Sequence, residues 1–327
     1  MLLPLHNASR EKNRAFTLVE VLVGMTILLI LMAVLFAILG SVSRTWTQST
    51  QRIDAFQGAR VAFDRVTRML SQATLNVYWD YDNPSNPKIY RRQSELAFAV
   101  LQSGTNGLYG DPNPGGGTGH GIFFQVPTGA TAKTTPDFRP LSQTLNSFGF
   151  SVKLVSDKNI RPPFVTGPEK IRLRLIQYRD LSENLKIYKQ QNDDPKLWIA
   201  GMEEVPLADN IIWMAIWPRL SVIQDPEGDD LTKDYTYNSR VDANKIPQPV
   251  TAHQLPPTVQ VTMIAIDEKT AERISSAVLL ETFAGTLADV TKYQEDVDKI
   301  SAKLTESKVN FRVFTTTVQL RESRWSP

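Results

Sequence analysis

Positions 21 to 43, VLVGMTILLILMAVLFAILGSVS, contain no charged residue, and this run constrains the chain more than any other feature. Some 20 apolar helical residues, at about 1.5 Å each, span a hydrocarbon core of about 30 Å. In residues 1–15, Arg10, Lys12 and Arg14 stand against Glu11, an excess of two that equals the whole chain's formal charge of +2. Basic residues on that side predict a cytoplasmic N-terminus and an extracytoplasmic bulk. The whole chain's composition, 42% apolar and 21% charged, suits a folded ectodomain and excludes a polytopic membrane protein or wholesale disorder. A near-neutral balance gives no footprint for nucleic acid, and none is expected as a partner.

Three kinds of N-terminal segment carry such a run. A secretory signal has a shorter apolar core, about 7–15 residues, and a small-x-small exit; only Ser41-Val42-Ser43 offers one here. A plain signal anchor has no use for Glu20, whose charge at the edge of hydrocarbon costs up to roughly 2.5–3.5 kcal/mol. The third kind accounts for it. Arg14-Ala15-Phe16-Thr17-Leu18-Val19-Glu20 resembles the processing site of type IV prepilins, a small residue followed by Phe-Thr-Leu-(Val/Ile)-Glu. Ala15 stands where that family more usually has Gly. The resemblance implies cleavage between Ala15 and Phe16 by a prepilin peptidase and N-methylation of Phe16. It further implies that Glu20, four residues on along the same helical face, meets the new amine of a neighbouring subunit during assembly.

The helical period continues through Trp46, Ile53, Phe56, Phe63, Val66 and Leu70. One helix is expected from about Thr17 to Ala73, with Gly40 and Gly58 as flex points. Beyond it the pattern alternates, and strands are expected at 95–101, 121–126, 147–155, 170–178, 210–217, 258–266 and 309–320. In the fourth, Arg172 and Arg174 are expected on a wet face; Trp213 and Trp217 are expected in the core. Helical stretches near 268–282 and 287–305 interrupt the last strands, the second with a stripe of Val290, Tyr293, Val297, Ile300 and Leu304. Residues 103–120 and 224–250 are read as loops. The fold class is therefore α+β, a long N-terminal helix packed on an antiparallel sheet. Its parts are a leader at 1–15, a membrane-spanning half-helix at 16–40, an amphipathic half-helix at 41–76 and a β-rich domain at 77–327 with a helical insertion at 268–305.

A second similarity lies downstream. Val205-Pro206-Leu207-Ala208-Asp209-Asn210-Ile211, then Leu255-Pro256-Pro257-Thr258-Val259-Gln260-Val261, then the closing Phe311–Arg321 segment are similar to J-type minor pseudopilins and PilW-like proteins, and to protein C of the Verru_Chthon cassette. The resemblance implies a structural minor subunit of a type II secretion or type IV pilus-like fibre. Its partners would be other pilin or pseudopilin subunits and an inner-membrane assembly platform, and its place the inner membrane until the fibre takes it up. The alternative is a signal-anchored extracytoplasmic binding protein or enzyme that joins no fibre.

Catalytic parts are scarce. The chain has no cysteine and three histidines, His6, His120 and His253, far apart. The glycine-rich run 115–121 lacks the Gly-Lys-Ser/Thr and helix start of a phosphate cradle and reads as a flexible loop. Asp225, Glu227, Asp229 and Asp230 supply oxygen ligands of the kind Ca²⁺ takes, but without EF-hand spacing they read as a solvated acidic turn. His120 and His253 read as surface or satisfied histidines. No enzyme activity and no cofactor are expected.

Overall fold

The computed structural model describes residues 17–102, 117–132, 143–158, 161–162, 164, 166–188, 194–283 and 286–325. The chain divides into two compact units, Met1–Ile53 and Asp54–Pro327. In chain order the elements are α1 (Leu18–Leu70), β1 (Tyr78–Tyr81), β2 (Tyr90–Gln93), β3 (Ala99–Gln102), β4 (Gly117–Pro127), β5 (Leu145–Ser156) and β6 (Ile171–Asp180). They continue with α2 (Lys196–Ile199), β7 (Glu203–Asp209), β8 (Ile211–Arg219), β9 (Tyr237–Asn238), β10 (Thr258–Ile266), α3 (Glu268–Arg273), α4 (Ser276–Phe283), α5 (Tyr293–Glu306) and β11 (Phe311–Gln319). The arrangement is α+β, an N-terminal apolar helix followed by antiparallel sheets.

Within the first unit, α1 begins at Leu18 and holds 26 residues, Leu18–Ser43, that are long and apolar enough to cross a membrane. At 1.5 Å per residue they reach about 39 Å, more than a hydrocarbon core needs. Gly24 and Gly40 lie inside the helix with open space where a Cβ would stand.

In the second unit the helix turns amphipathic. Phe56, Ala59, Phe63, Val66 and Leu70 are buried at alternating three- and four-residue spacing, while Val61 on the opposite side is exposed. Phe63 meets Phe314 of β11 with ring centroids 5.7 Å apart, and the Arg65 Nε donates to Gln177 Oε1 of β6 at 2.8 Å. Trp46 and Ile53 lie outside the described side chains. The helix ends at Leu70, three residues before the expected Ala73, where Gln72 and Ala73 tighten into three-residue turns on Met69 and Leu70. Thr74 then bridges Gln125 and delivers the chain to the sheet.

Two larger sheets share one core. The six-stranded sheet runs β7-β6-β5-β4-β3-β9, and the three-stranded one β11-β10-β8. Every pairing between these strands is antiparallel. Residues 118–120 of β4 stitch the sheets together. Thr118 Oγ1 donates to Ile212 O at 2.5 Å, and His120 Nδ1 accepts from Ile216 N at 3.0 Å. Between them Gly119, at φ 74°, comes so close to Met214 that a Cβ would sit 2.0 Å from its carbonyl oxygen. The glycine-rich run is thus, from Gly117 on, strand rather than loop, with a register shift between Thr118 and Ile122. The glycines admit another backbone where a side chain could not fit.

The wet face expected on β6 is absent. Arg172 and Arg174 are buried. The first reaches Glu268 at the start of α3 at 2.5 Å, and the second pairs with Asp209 at the end of β7 at 2.7 Å. Glu268 of α3 and Asp209 of the neighbouring strand β7 pair with these arginines. Asp267 caps α3 by accepting from Thr270 N at 2.8 Å. On α5, Ile300 and Leu304 are buried and Tyr293 and Val297 half-buried, as the stripe predicts. Trp213 and Trp217 are both in the core. A third, two-stranded sheet pairs β1 with β2 where the sequence pattern predicts no strand, and the span 224–250 holds the short β9.

Candidate functional site

The start of α1 is a reciprocal cap. Thr17 Oγ1 accepts from Glu20 N at 3.3 Å, and Glu20 Oε2 accepts from both Thr17 N and Thr17 Oγ1 at 2.9 Å. This is the Thr-x-x-Glu capping box: two otherwise orphaned backbone N–H groups are satisfied, and the carboxylate sits at the positive end of the helix dipole. Glu20 is thereby held at the very first turn, at the boundary of the apolar run rather than within it. The Thr-x-x-Glu spacing ahead of an apolar run is legible in sequence as a helix start, and it gives Glu20 a role within its own chain. Ala15 and Phe16 lie outside the described residues. The apolar side chains from Leu18 to Val42 stand exposed, a surface that only lipid or other apolar helices can cover favourably.

The other candidate residues divide. Asp225, Asp229 and Asp230 bring one carboxylate oxygen each within 4.8 Å of the others; Glu227 is not among them. Asp225 is buried rather than solvated, and its carboxylate already closes the turn, accepting from Gly228 N at 2.6 Å and Asp230 N at 3.1 Å. Hydrogen bonds inside the turn account for the acidic cluster.

Of the two readings, surface or satisfied, burial removes the first for both His120 and His253. His120 packs on the Tyr235 ring at 5.0 Å; its Nε2 has no hydrogen-bond partner, and burial pulls its pKa from 6.5 to about 3. His253 sits at φ 54° with an unpartnered Nδ1, and burial, assisted by Arg240 and Arg92, lowers it to about 4. Both are neutral at physiological pH. They lie on different parts of the domain, His120 against β8 and His253 after the 240–252 segment, and the two do not form a catalytic pair.

Residues 10–36 match the family model described as the prokaryotic N-terminal methylation motif. No curated protein and no solved structure matches the chain significantly. The match covers residues 10–15 of the expected leader, the capping box and most of the apolar run. It supports a type IV pilin-like precursor, with the processing by prepilin peptidase and the assembly with other pilins that such a motif implies. Among the described residues one helix is long and apolar enough to cross a membrane, near the N-terminus, in agreement with an inner-membrane anchor.

Proposed function

We propose that the chain is a minor, J-like pseudopilin: a structural subunit of a type II secretion or type IV pilus-like fibre, with no catalytic role. The observation that carries this reading is the register of three features. The methylation motif over residues 10–36 contains the cap at Thr17 and Glu20 and overlaps the apolar span that starts at Leu18. In this reading the leader holds the precursor with its N-terminus inside, and the peptidase cuts after Ala15 and methylates the Phe16 amine. The apolar half-helix then leaves the bilayer for a fibre core, where helix packing replaces lipid contacts. Glu20 offers its carboxylate to the Phe16 amine of a neighbour. The size of the domain from Asp54 onward suits a tip position, since such a head is hard to repeat on every rung of a thin fibre.

Mass spectrometry of the mature N-terminus in the native host is the direct test. A chain beginning at N-methyl-Phe16 is expected; one retaining Met1 through Ala15 sinks the reading and leaves a tethered ectodomain. Immunogold labelling tests the tip assignment, which fails if label decorates whole fibres.

A further inference from the structure

Each of the two larger sheets ends in two edge strands, and three of these edges are protected against pairing with another chain. β9 is only two residues long. β7 carries Glu203, Glu204 and Pro206 and meets β6 through a register shift. β8 is covered by residues 118–120 of β4, which bond to Ile212 and Ile216. The fourth edge, β11, has none of these devices. It runs nine residues, FRVFTTTVQ, about 30 Å at the rise of a strand, with no proline, no glycine and no bulge against β10. Its one charge is Arg312.

The ladder fixes which backbone groups of β11 point outward. Leu320 N donates to Pro257 O at 3.1 Å and Asp267 N to Asn310 O at 3.3 Å, both in register with the β10–β11 pairing. Even-numbered residues of β11 therefore turn N–H and C=O to β10, while Phe311, Val313, Thr315, Thr317 and Gln319 turn theirs away. The hydroxyls of Thr315 and Thr262, 2.9 Å apart, show the closer side-chain approach of a pair that exchanges no backbone bonds. Among the described residues no hydrogen bond engages the backbone of those five.

This edge is both open and rigid. Thr315, Thr316, Thr317 and Gln319 are exposed, whereas Phe314 meets Phe63 and Val318 is buried. The strand is thus held extended before any partner arrives, and pairing costs it little freedom. A row of outward N–H and C=O groups selects another extended strand, because only a strand repeats donors and acceptors at the same spacing.

Self-pairing satisfies the edge throughout. Turned about a two-fold axis at Thr315, β11 of a second copy lies antiparallel to the first over its full length, and outward residues meet outward residues. Thr315 faces its own counterpart, Val313 faces Thr317, and Phe311 faces Gln319. Two bonds per pair give about ten hydrogen bonds, as many as a specific interface carries. Between them Phe314 falls opposite Thr316, an aromatic and β-branched pair of the kind that stabilises antiparallel strands. Arg312 falls opposite Val318, about 20 Å from its own counterpart, so no like charges face each other. The β7 edge fails as a mate, since Pro206 has no N–H to offer. We propose that β11 is a homotypic docking edge, pairing antiparallel with β11 of a second copy of this chain into one sheet that crosses the interface. This pairing is independent of whether the chain enters a fibre.

The test uses the full chain, which has no cysteine of its own, in detergent micelles, with its mass followed by light scattering across a concentration series. A reversible dimer is expected. Under mild oxidation Thr315→Cys should give a disulfide-linked dimer, whereas Arg312→Cys, exposed on the same strand but far from its counterpart, should not. Thr317→Pro removes an outward N–H from each copy without touching the β10 ladder, and should raise the dimer dissociation constant by about tenfold or more. Thr315→Lys sets two cations face to face and should raise it severalfold. Thermal unfolding reports whether each variant folds; if Thr317→Pro does not, Thr315→Lys decides. A chain that stays monomeric at every concentration overturns the proposal, as does a dimer indifferent to the substitutions. A dimer held through the apolar helix would leave Thr315→Cys unlinked, and an edge that accepts only a different subunit would leave this chain monomeric on its own; either result sinks it.

Discussion

His120 and His253 give the domain a dependence on pH. Their folded-state values, about 3 and about 4, lie below the ordinary 6.5 because burial disfavours the imidazolium. The unfolded chain therefore takes up these protons first, and stability falls as pH drops below about 6.5, each histidine contributing about 1.4 kcal/mol per pH unit. Between pH 6.5 and 5, above the range where the carboxylates titrate, the thermal midpoint of the full chain should decline. His253→Asn, which tolerates the left-handed backbone, should flatten that decline. At Gly149 a Cβ would stand 2.2 Å from the Phe123 ring, and Gly149→Ala should cost about 1–3 kcal/mol by overpacking, read from denaturant midpoints. Thr17 and Glu20 allow a sharper separation. Thr17→Ala removes the hydroxyl side of the cap, at about 1 kcal/mol, yet keeps the carboxylate. Fibre assembly should survive Thr17→Ala and fail in Glu20→Ala while membrane insertion persists in both. Equal failure would assign Glu20 to capping alone.

At the scale of elements, the second half of α1 is held by side chains, not by a ladder. Phe63→Ala removes a buried ring and its contact with Phe314 and should cost about 3–5 kcal/mol. Amide exchange should then rise first in residues 54–70. This helix was legible because apolar residues recur at three and four over many turns, a period no strand can satisfy. The strands of the two large sheets were legible where β-branched and aromatic residues cluster, as at Ile211–Arg219 and Thr258–Ile266. Misreadings arose where tertiary cover decides the outcome. Arg172 and Arg174 look solvent-facing until α3 and β7 supply Glu268 and Asp209. Gly117–Gly121 looks like a loop until β8 approaches within the space of a missing Cβ. The β1–β2 hairpin is hard to see in sequence because its strands are short and Asn83-Pro84-Ser85-Asn86-Pro87, its turn region, has the composition of a break. At the N-terminal site the Thr-x-x-Glu box was readable, whereas the burial of Asp225 and both histidines depends on distant segments that no local pattern reports.

For the whole molecule, the leader and the residues after it are separable. Ala15→Leu replaces the small residue ahead of the expected scissile bond. It should leave the chain at full length, with its first fifteen residues attached, while the domain from Asp54 onward unfolds as before; mass spectrometry and thermal denaturation check the two halves of that statement. The domain holds a single continuous core with no disulfide anywhere in the sequence, so its integrity rests on burial and hydrogen bonding throughout. The seam of Phe56, Phe63, Val66 and Leu70 then acquires a mechanical meaning. Tension drawn along this rod, residues 54–70, enters the domain through these apolar side chains and the Arg65–Gln177 hydrogen bond, with no disulfide to reinforce them. Under traction the rod should strip from β11 before the antiparallel ladders shear, and the joint, rather than the head, sets the force at which such a subunit yields.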